Sequence, residues 1–311
     1  MTSKTIIVTN CTNRKRVDET GVVLSAIDCS GSLATVAALW TNAVRNSHSL
    51  RQAQDVYMGR GFVEARRAAA ASRSPLYIVS AGLGIVGATD MIPSYDLTVS
   101  GGTNSLRPML VHLGAEPSDW WTALTTELGK ERTLRALLDR HREANLLLAM
   151  PGSYLALIAK ELTSLKRSQI DRLRIITSSY GQALLPSNAS HIALPYDERL
   201  EGSPYAGTRV DFAQRALRHF VEVLNGRELS AEMARSAVAE AMRELKRPTG
   251  PEREKKSDVE ILNLLRKNWI RFDGASTHLL RYLRDEAMVA CEQSRFRDLW
   301  RSLRMELVKS R

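Results

Sequence analysis

The chain has 311 residues, 44% hydrophobic and 25% charged, and 44 Lys plus Arg against 34 Asp plus Glu give it a net charge of +10. A chain of this length buries a core without staples, and its three cysteines, Cys11, Cys29 and Cys291, form no CxxC pair. That excludes a disulfide scaffold and points to a reducing, cytoplasmic setting. The first apolar run is too short for a secretory segment, and no stretch approaches the ~20 apolar residues of a membrane span. The excess of positive charge points to a polyanion, above all nucleic acid.

In chain order, the β-branched run KTIIVTN (4–10) predicts a strand, and Val22–Ile27 a second. Ser32 caps an expected helix over Leu33–Val44, with Val36, Leu39, Trp40 and Ala43 on its inner face. Gly61–Ala71 reads as helix and 76–82 as a buried strand, so strand, helix and strand alternate as in a parallel α/β sheet. Helices follow at Asp119–Leu128 and Arg132–Arg142, then a strand at Asn145–Met150, a helix at Tyr154–Leu165 and a strand at Leu173–Ser179. His191–Leu194 is short and extended. Asp211–Leu224 is an amphipathic helix, with Phe212, Ala216, Phe220 and Val223 on one side. The fold class expected is α/β, a three-layer domain with a mainly parallel central sheet, over residues 1–225. A helix and charged linker (226–256) and a basic helical module (257–311) follow. Residues 255–311 hold thirteen Lys or Arg and eight Asp or Glu, so +5 of the total +10 sits in that short unit.

Four segments are candidates for chemistry. SAGLGIVGATDMIPSYD (80–96) opens at the carboxyl end of a buried strand, where open α/β sheets bind ligands. Its glycines, Gly82 among them, permit close approach, Asp90 and Asp96 place two carboxylates in one loop, and Tyr95 offers a ring and a hydroxyl. The same residues also fit a glycine-rich turn whose aspartates cap backbone groups. At the end of the first strand, TNCTNRKR (9–16) offers Asn10 and Asn13 for hydrogen bonding, and Arg14, Lys15 and Arg16 for phosphate. Cys11 is better read as a packed thiol than as a nucleophile. VYMGRGFVEARR (56–67) combines Tyr57 with Arg60 at a helix start suited to phosphate. LPYDERLEG (194–202) is either an exposed loop or, through Asp197 and Arg199, a contact to a polyhydroxy ligand. The six histidines show no HxxxH or HxH pairing and the cysteines are dispersed, so no metal site is expected. Neither GxxxxGK[ST] nor GxSxG occurs, and no cofactor is expected.

Cys11–Lys15 (C-x-x-x-K), Tyr57–Phe62 (Y-x-G-R-x-F), Ser80–Val86 (S-A-x-x-G-I-V) and Ile92–Leu97 (I-x-x-Y-D-L) together resemble a bacterial protein family related to the uracil-DNA glycosylase-like fold. The last block also resembles the peroxide-stress DNA-binding family and, more distantly, a domain of archaeosine synthases. With a basic helical module appended, the pattern is most similar to anti-phage DNA glycosylases that excise glucosylated hydroxymethylcytosine. The resemblance covers the first hundred residues. It implies a DNA N-glycosylase that flips a base from duplex phage DNA and leaves an abasic site, with no membrane association and no obligate protein partner. In that reading Asp90, then Asp96, stabilises the oxocarbenium-like sugar or orients water, and Asn10 positions base or water. Tyr95 stacks on the flipped nucleotide, while Tyr57, Ser80, Gly82, Asp197 and Arg199 line the substrate. Arg14, Lys15 and Arg60 clamp phosphate. No lysine falls inside the carboxylate loop, which favours a monofunctional enzyme. Two other readings share the blocks: a base- or tRNA-modifying enzyme of the archaeosine type, and a non-enzymatic DNA-binding stress protein.

The C-terminal segment predicts helices at 257–269, 275–285 and 292–308. Val259, Leu262, Leu265 and Trp269 face inward, Leu279, Leu280 and Leu283 bury against Phe296, Leu299 and Leu303, and Arg295, Arg297 and Arg301 are left outside to meet DNA. A helix-turn-helix and a docking or dimer surface are both compatible with this pattern.

Overall fold

A computed structural model describes residues 4–18, 20–99, 101–102, 104–248 and 252–309, the last two by backbone alone. The chain divides into two compact units, residues 1–248 and 249–311. Positions 249–251 of the expected linker lie outside the described residues.

The first unit is mixed α/β around a five-stranded sheet. Its strands are β1 (Lys4–Asn10), β2 (Leu76–Ser80), β3 (Gly84–Gly87), β4 (Ala144–Ala149) and β5 (Leu173–Ile176), in the spatial order β3-β2-β1-β4-β5. β1 runs parallel to β2 and β4, and β4 parallel to β5; only β3 is antiparallel, folding back on β2. Ile6, Ile7 and Val8 of β1 and Leu146, Leu147 and Leu148 of β4 are all buried, the near-continuous apolar run of strands covered on both faces.

The major helices are α1 (Leu33–Arg45), α2 (Arg60–Ser72), α3 (Pro117–Leu128), α4 (Phe212–Glu222) and α5 (Ala231–Glu244). The helices pack in two groups: α2 lies on α4 and beside β1, whereas α3 packs on α1 and on the short helices after β4. α1 and α2 both belong to the connection from β1 to β2, so that one connection supplies a helix to each group. The Ser32 hydroxyl accepts from Thr35 N–H at 3.2 Å, capping α1 as its sequence predicts. The inner stripe of α1 is Val36, Ala37, Trp40 and Val44, with Leu39 outside; on α4, Val223 likewise falls outside, just beyond the helix end. Within the expected strand 22–27 only Val22–Val23 pairs as a strand, and a 3-10 turn follows at Leu24–Ala26. Helix α5, grouped by composition with the linker, buries Ala234, Val238 and Met242 in the core of the first unit.

The second unit contains α6 (Asp258–Asn268), α7 (Ser276–Arg281), which runs into a π turn at Tyr282–Glu286, and α8 (Gln293–Lys309). Its core is Ile261 and Leu265 against Leu279, Leu283, Phe296 and Leu303. Val259, expected inside, is 67% exposed, because the i, i+4 pair Ile261–Leu265 sets the buried stripe instead. Among the described residues no helix is long and apolar enough to cross a membrane.

Candidate functional site at the carboxyl ends of β1, β2 and β4

With strand order 3-2-1-4-5, chain direction along the sheet reverses beside β1. The crevice outside the carboxyl ends of β1 and β4 is therefore the topological switch point at which open α/β sheets bind ligands. Asn10 and Cys11 leave β1 there. Loop 11–16 is held by a second loop: Arg16 N–H donates to Val56 O at 2.8 Å, and Met58 N–H to Arg14 O at 3.0 Å. The sequence-predicted groups Asn10, Arg14, Lys15, Tyr57, Arg60, Ser80, Tyr95 and Asp96 all converge on this end.

Beneath the surface lies a buried hydroxyl network. The Tyr95 hydroxyl lies 2.6 Å from Ser80 Oγ and 2.8 Å from Tyr57 Oη, and Cys11 Sγ lies 2.9 Å from Tyr154 Oη. Burial, and the nearby Cys11, push the phenols of Tyr95 and Tyr154 well above the usual tyrosine range, so they remain protonated. Tyr95 is 0% exposed and packs edge-on against Trp40, with ring centroids 6.1 Å apart. It is thus a packed hydrogen-bonding group instead of the expected stacking platform, and Tyr57 and Ser80 are buried with it. Gly82 is packing too. Its carbonyl accepts from Trp40 Nε1 at 2.7 Å, that of Ala81 accepts from Trp120 Nε1 at 2.8 Å, and a Cβ at Gly82 would stand 2.8 Å from Trp40 Cζ2.

At the mouth, Lys15 brings a lysine to the carboxylate loop from a distant part of the chain. Its Nζ donates to Leu97 O at 3.0 Å, lies 3.8 Å from Asp96 Oδ1 and sits 5.1 Å from the Tyr95 ring centroid. The lysine side chain is 0% exposed and the aspartate 32%. Asn104 Nδ2 donates to Asp96 Oδ2 at 2.7 Å, so each carboxylate oxygen has a fixed partner while one edge stays open. Asn10 is held by Gln214, whose Nε2 donates to Asn10 Oδ1 at 2.7 Å and to Ala149 O at 3.1 Å, bridging β1 and β4 from α4. Arg14 is exposed on the rim; Arg60, at the start of α2, is 78% exposed and reaches only a 3.9 Å contact with Asp211.

Asp90 lies elsewhere. The stretch read as one ligand loop folds as a hairpin: Gly84, at φ +68°, completes the turn, and β3 returns antiparallel to β2 with Tyr77 opposite Gly87. Asp90 therefore stands at the amino end of β2, the opposite end of the sheet from Asp96. Its Oδ2 accepts from Gly87 N–H at 2.8 Å and lies 3.8 Å from Arg132 Nη1, the geometry of a turn cap. The chain then returns through Met91–Pro93, which pairs with Leu50–Gln52, and Tyr95–Asp96, which pairs with Val22–Val23.

Asp197 and Arg199 satisfy each other. Arg199 Nε donates to Asp197 Oδ1 and Oδ2 at 2.9 and 3.0 Å, and Nη2 to Oδ2 at 2.6 Å, while Oδ1 also accepts Arg199 N–H. Partial burial opposes ionisation of Asp197, but these bonds outweigh it and its carboxyl lies below the usual range. In the second unit, Arg295 is tied to Asp258 and to Lys256 O, clamping the start of α6. Arg297 makes only a 3.6 Å contact with its neighbour Asp298, and Arg301 forms no ion pair among the described residues.

Tyr154, Gln214 and Asn104 are site residues that pattern reasoning did not single out. Tyr154 follows a buried strand, a position that could have flagged it; Gln214 and Asn104 carry no local signal. Compared with known proteins, the chain matches no family model, no curated protein and no solved structure.

Proposed function

We propose that the chain is a DNA N-glycosylase of uracil-DNA glycosylase-like fold, with Asp96 as its working carboxylate. The observation that carries the reading is the half-open Asp96 carboxylate, fixed between the Lys15 ammonium and the Asn104 amide at the sheet's switch point. Breaking an N-glycosidic bond builds positive charge on the sugar, and a preorganised carboxylate stabilises it or aligns water. Arg14 and Arg60 on the rim suit the phosphates flanking a flipped nucleotide, and Asn10, held by Gln214, suits its polar edge. Lys15, anchored on Leu97 O, holds Asp96 in place. Glucosylated hydroxymethylcytosine in phage DNA is the proposed target, on the resemblance of the first hundred residues alone. The test is incubation of the full chain with modified and unmodified duplexes, followed by mass spectrometry of released bases. Free base from the glucosylated duplex, abolished in Asp96→Asn, supports the reading; no base from any duplex sinks it.

The burial of Tyr57, Ser80 and Tyr95 favours a second reading, a DNA-binding protein without excision activity. Such a protein binds duplex in the same assay and releases nothing.

A further inference from the structure

At the opposite pole of the sheet, a cavity of about 620 Å³ lies at the amino ends of β1 and β4 and the carboxyl end of α2. Its volume is in the range of small-ligand sites. Five cations line it: Lys4, Arg73, Arg140, Arg142 and Arg227. Against them stand only Glu143 and Glu228, and Glu228 is engaged by Arg227 at 3.4 Å. Lys4, Arg73, Arg140 and Arg142 form no ion pair among the described residues.

Two further features point to a ligand. Thr5, on β1, lines this cavity and is 7% exposed, yet its Oγ1 has no hydrogen-bond partner. Buried hydroxyls are nearly always paired, so an orphan in a cationic cavity is a donor awaiting an acceptor. Arg73 closes α2 in the left-handed region at φ 51°, a place that ordinarily takes glycine. An arginine held there carries backbone strain, and strain of this kind collects at functional positions. His141, in the same lining, is held below the usual histidine range by burial and then by the charges of Arg140 and Lys4, which registers the local positive potential.

We propose that this pole is a binding site for a small di- or triphosphate anion, with Thr5 Oγ donating to a phosphate oxygen and Arg73 and Arg140 supplying charge. The five cations and two carboxylates leave three positive charges, matching such an anion. A concave pocket of this size, open to solvent on one side, suits a small molecule; the backbone of duplex DNA needs an extended stripe of cations. The site does not depend on the glycosylase reading.

The experiment is calorimetric titration of the full chain at low salt with inorganic pyrophosphate and, separately, ADP. Saturable binding with one site per chain is expected for both. Arg73→Gly relieves the left-handed strain, so it should fold at least as well as the parent, yet weaken binding about tenfold or more. Arg140→Ala should weaken it similarly. Thr5→Val keeps the shape and should weaken it several-fold with an unchanged melting temperature. No saturable binding of either anion would overturn the proposal. So would equal affinity in parent and Arg73→Gly, or binding of duplex DNA that depends on Arg73 and Arg140 while pyrophosphate does not bind.

Discussion

Lys15 Nζ stands 3.8 Å from Asp96 Oδ1, with the lysine side chain wholly out of water and the aspartate one-third exposed. A buried ammonium beside a half-open carboxylate is an asymmetric pair: the cation cannot leave, whereas the anion can meet a ligand. Lys15 also satisfies Leu97 O, so removing it strands a carbonyl as well as a carboxylate. Lys15→Met should cost about 1–3 kcal/mol of stability, measured by urea denaturation. An unchanged midpoint would mean that the pair contributes nothing.

Asp96 and Asp90 should separate cleanly. Asp96→Asn should lower base release by about a hundredfold or more with melting temperature nearly constant. Asp90→Ala should leave release unchanged and cost about 0.5–2 kcal/mol, as for loss of a cap on a backbone N–H. Base-release kinetics alongside thermal melts decide it, and a dead Asp90→Ala variant would return the chemistry to the other end of the sheet.

Gly82→Ala tests packing against ligand contact. The new methyl would lie 2.8 Å from Trp40 Cζ2 and 3.0 Å from Tyr95 Cε2, so it should destabilise by about 1–3 kcal/mol. Near-ultraviolet circular dichroism from the displaced tryptophan should change with it. A fully stable variant defective only in DNA binding would restore the ligand role.

His219 should make stability pH-dependent. It is buried, with Nδ1 2.8 Å from the Tyr196 hydroxyl, and burial holds its imidazole below the usual range. The unfolded chain therefore takes up a proton near pH 6.5 that the folded chain still refuses. Stability is complete above that pH and falls as pH drops from 6.5 to the lower folded value, by at most about 1.4 kcal/mol per pH unit. In His219→Asn this segment of the stability–pH curve should flatten; an identical slope in parent and variant would refute the assignment.

In the second unit the arginines divide by partner. Arg297→Ala with Arg301→Ala should weaken binding to all duplexes and flatten the slope of log K against log salt by about one unit per lost phosphate contact, with no change in melting temperature. Arg295→Ala should instead loosen the start of α6, at a cost of about 0.5–1 kcal/mol, since its guanidinium is spent on Asp258 and Lys256 O. Salt titrations of binding beside melting curves separate the two.

Periodicity and turn chemistry by themselves determined the α/β class, the parallel strands expected at 4–10, 76–82, 145–150 and 173–179, which fold as Lys4–Asn10, Leu76–Ser80, Ala144–Ala149 and Leu173–Ile176, the Ser32 cap and the helical character of the last sixty residues. These are local properties, written in spacings of two to four residues. The basic loop after β1 was legible as well, because the carboxyl end of a parallel strand is a place in the topology. Tertiary structure alone decided which groups meet there. Asp90 and Asp96 are neighbours in the chain yet lie at opposite ends of the sheet, because four buried apolar and glycine residues at 84–87 pair back onto β2 and reverse the direction. Lys15 is 82 positions from the carbonyl it bonds, and no local pattern encodes such a pairing. The exposure of a ring is equally non-local. Tyr95 reads as a stacking platform in the sequence, but Trp40, Tyr57 and Ser80 arrive from three other elements and enclose it, since a phenol ring buried with its hydroxyl bonded is more stable there than in water.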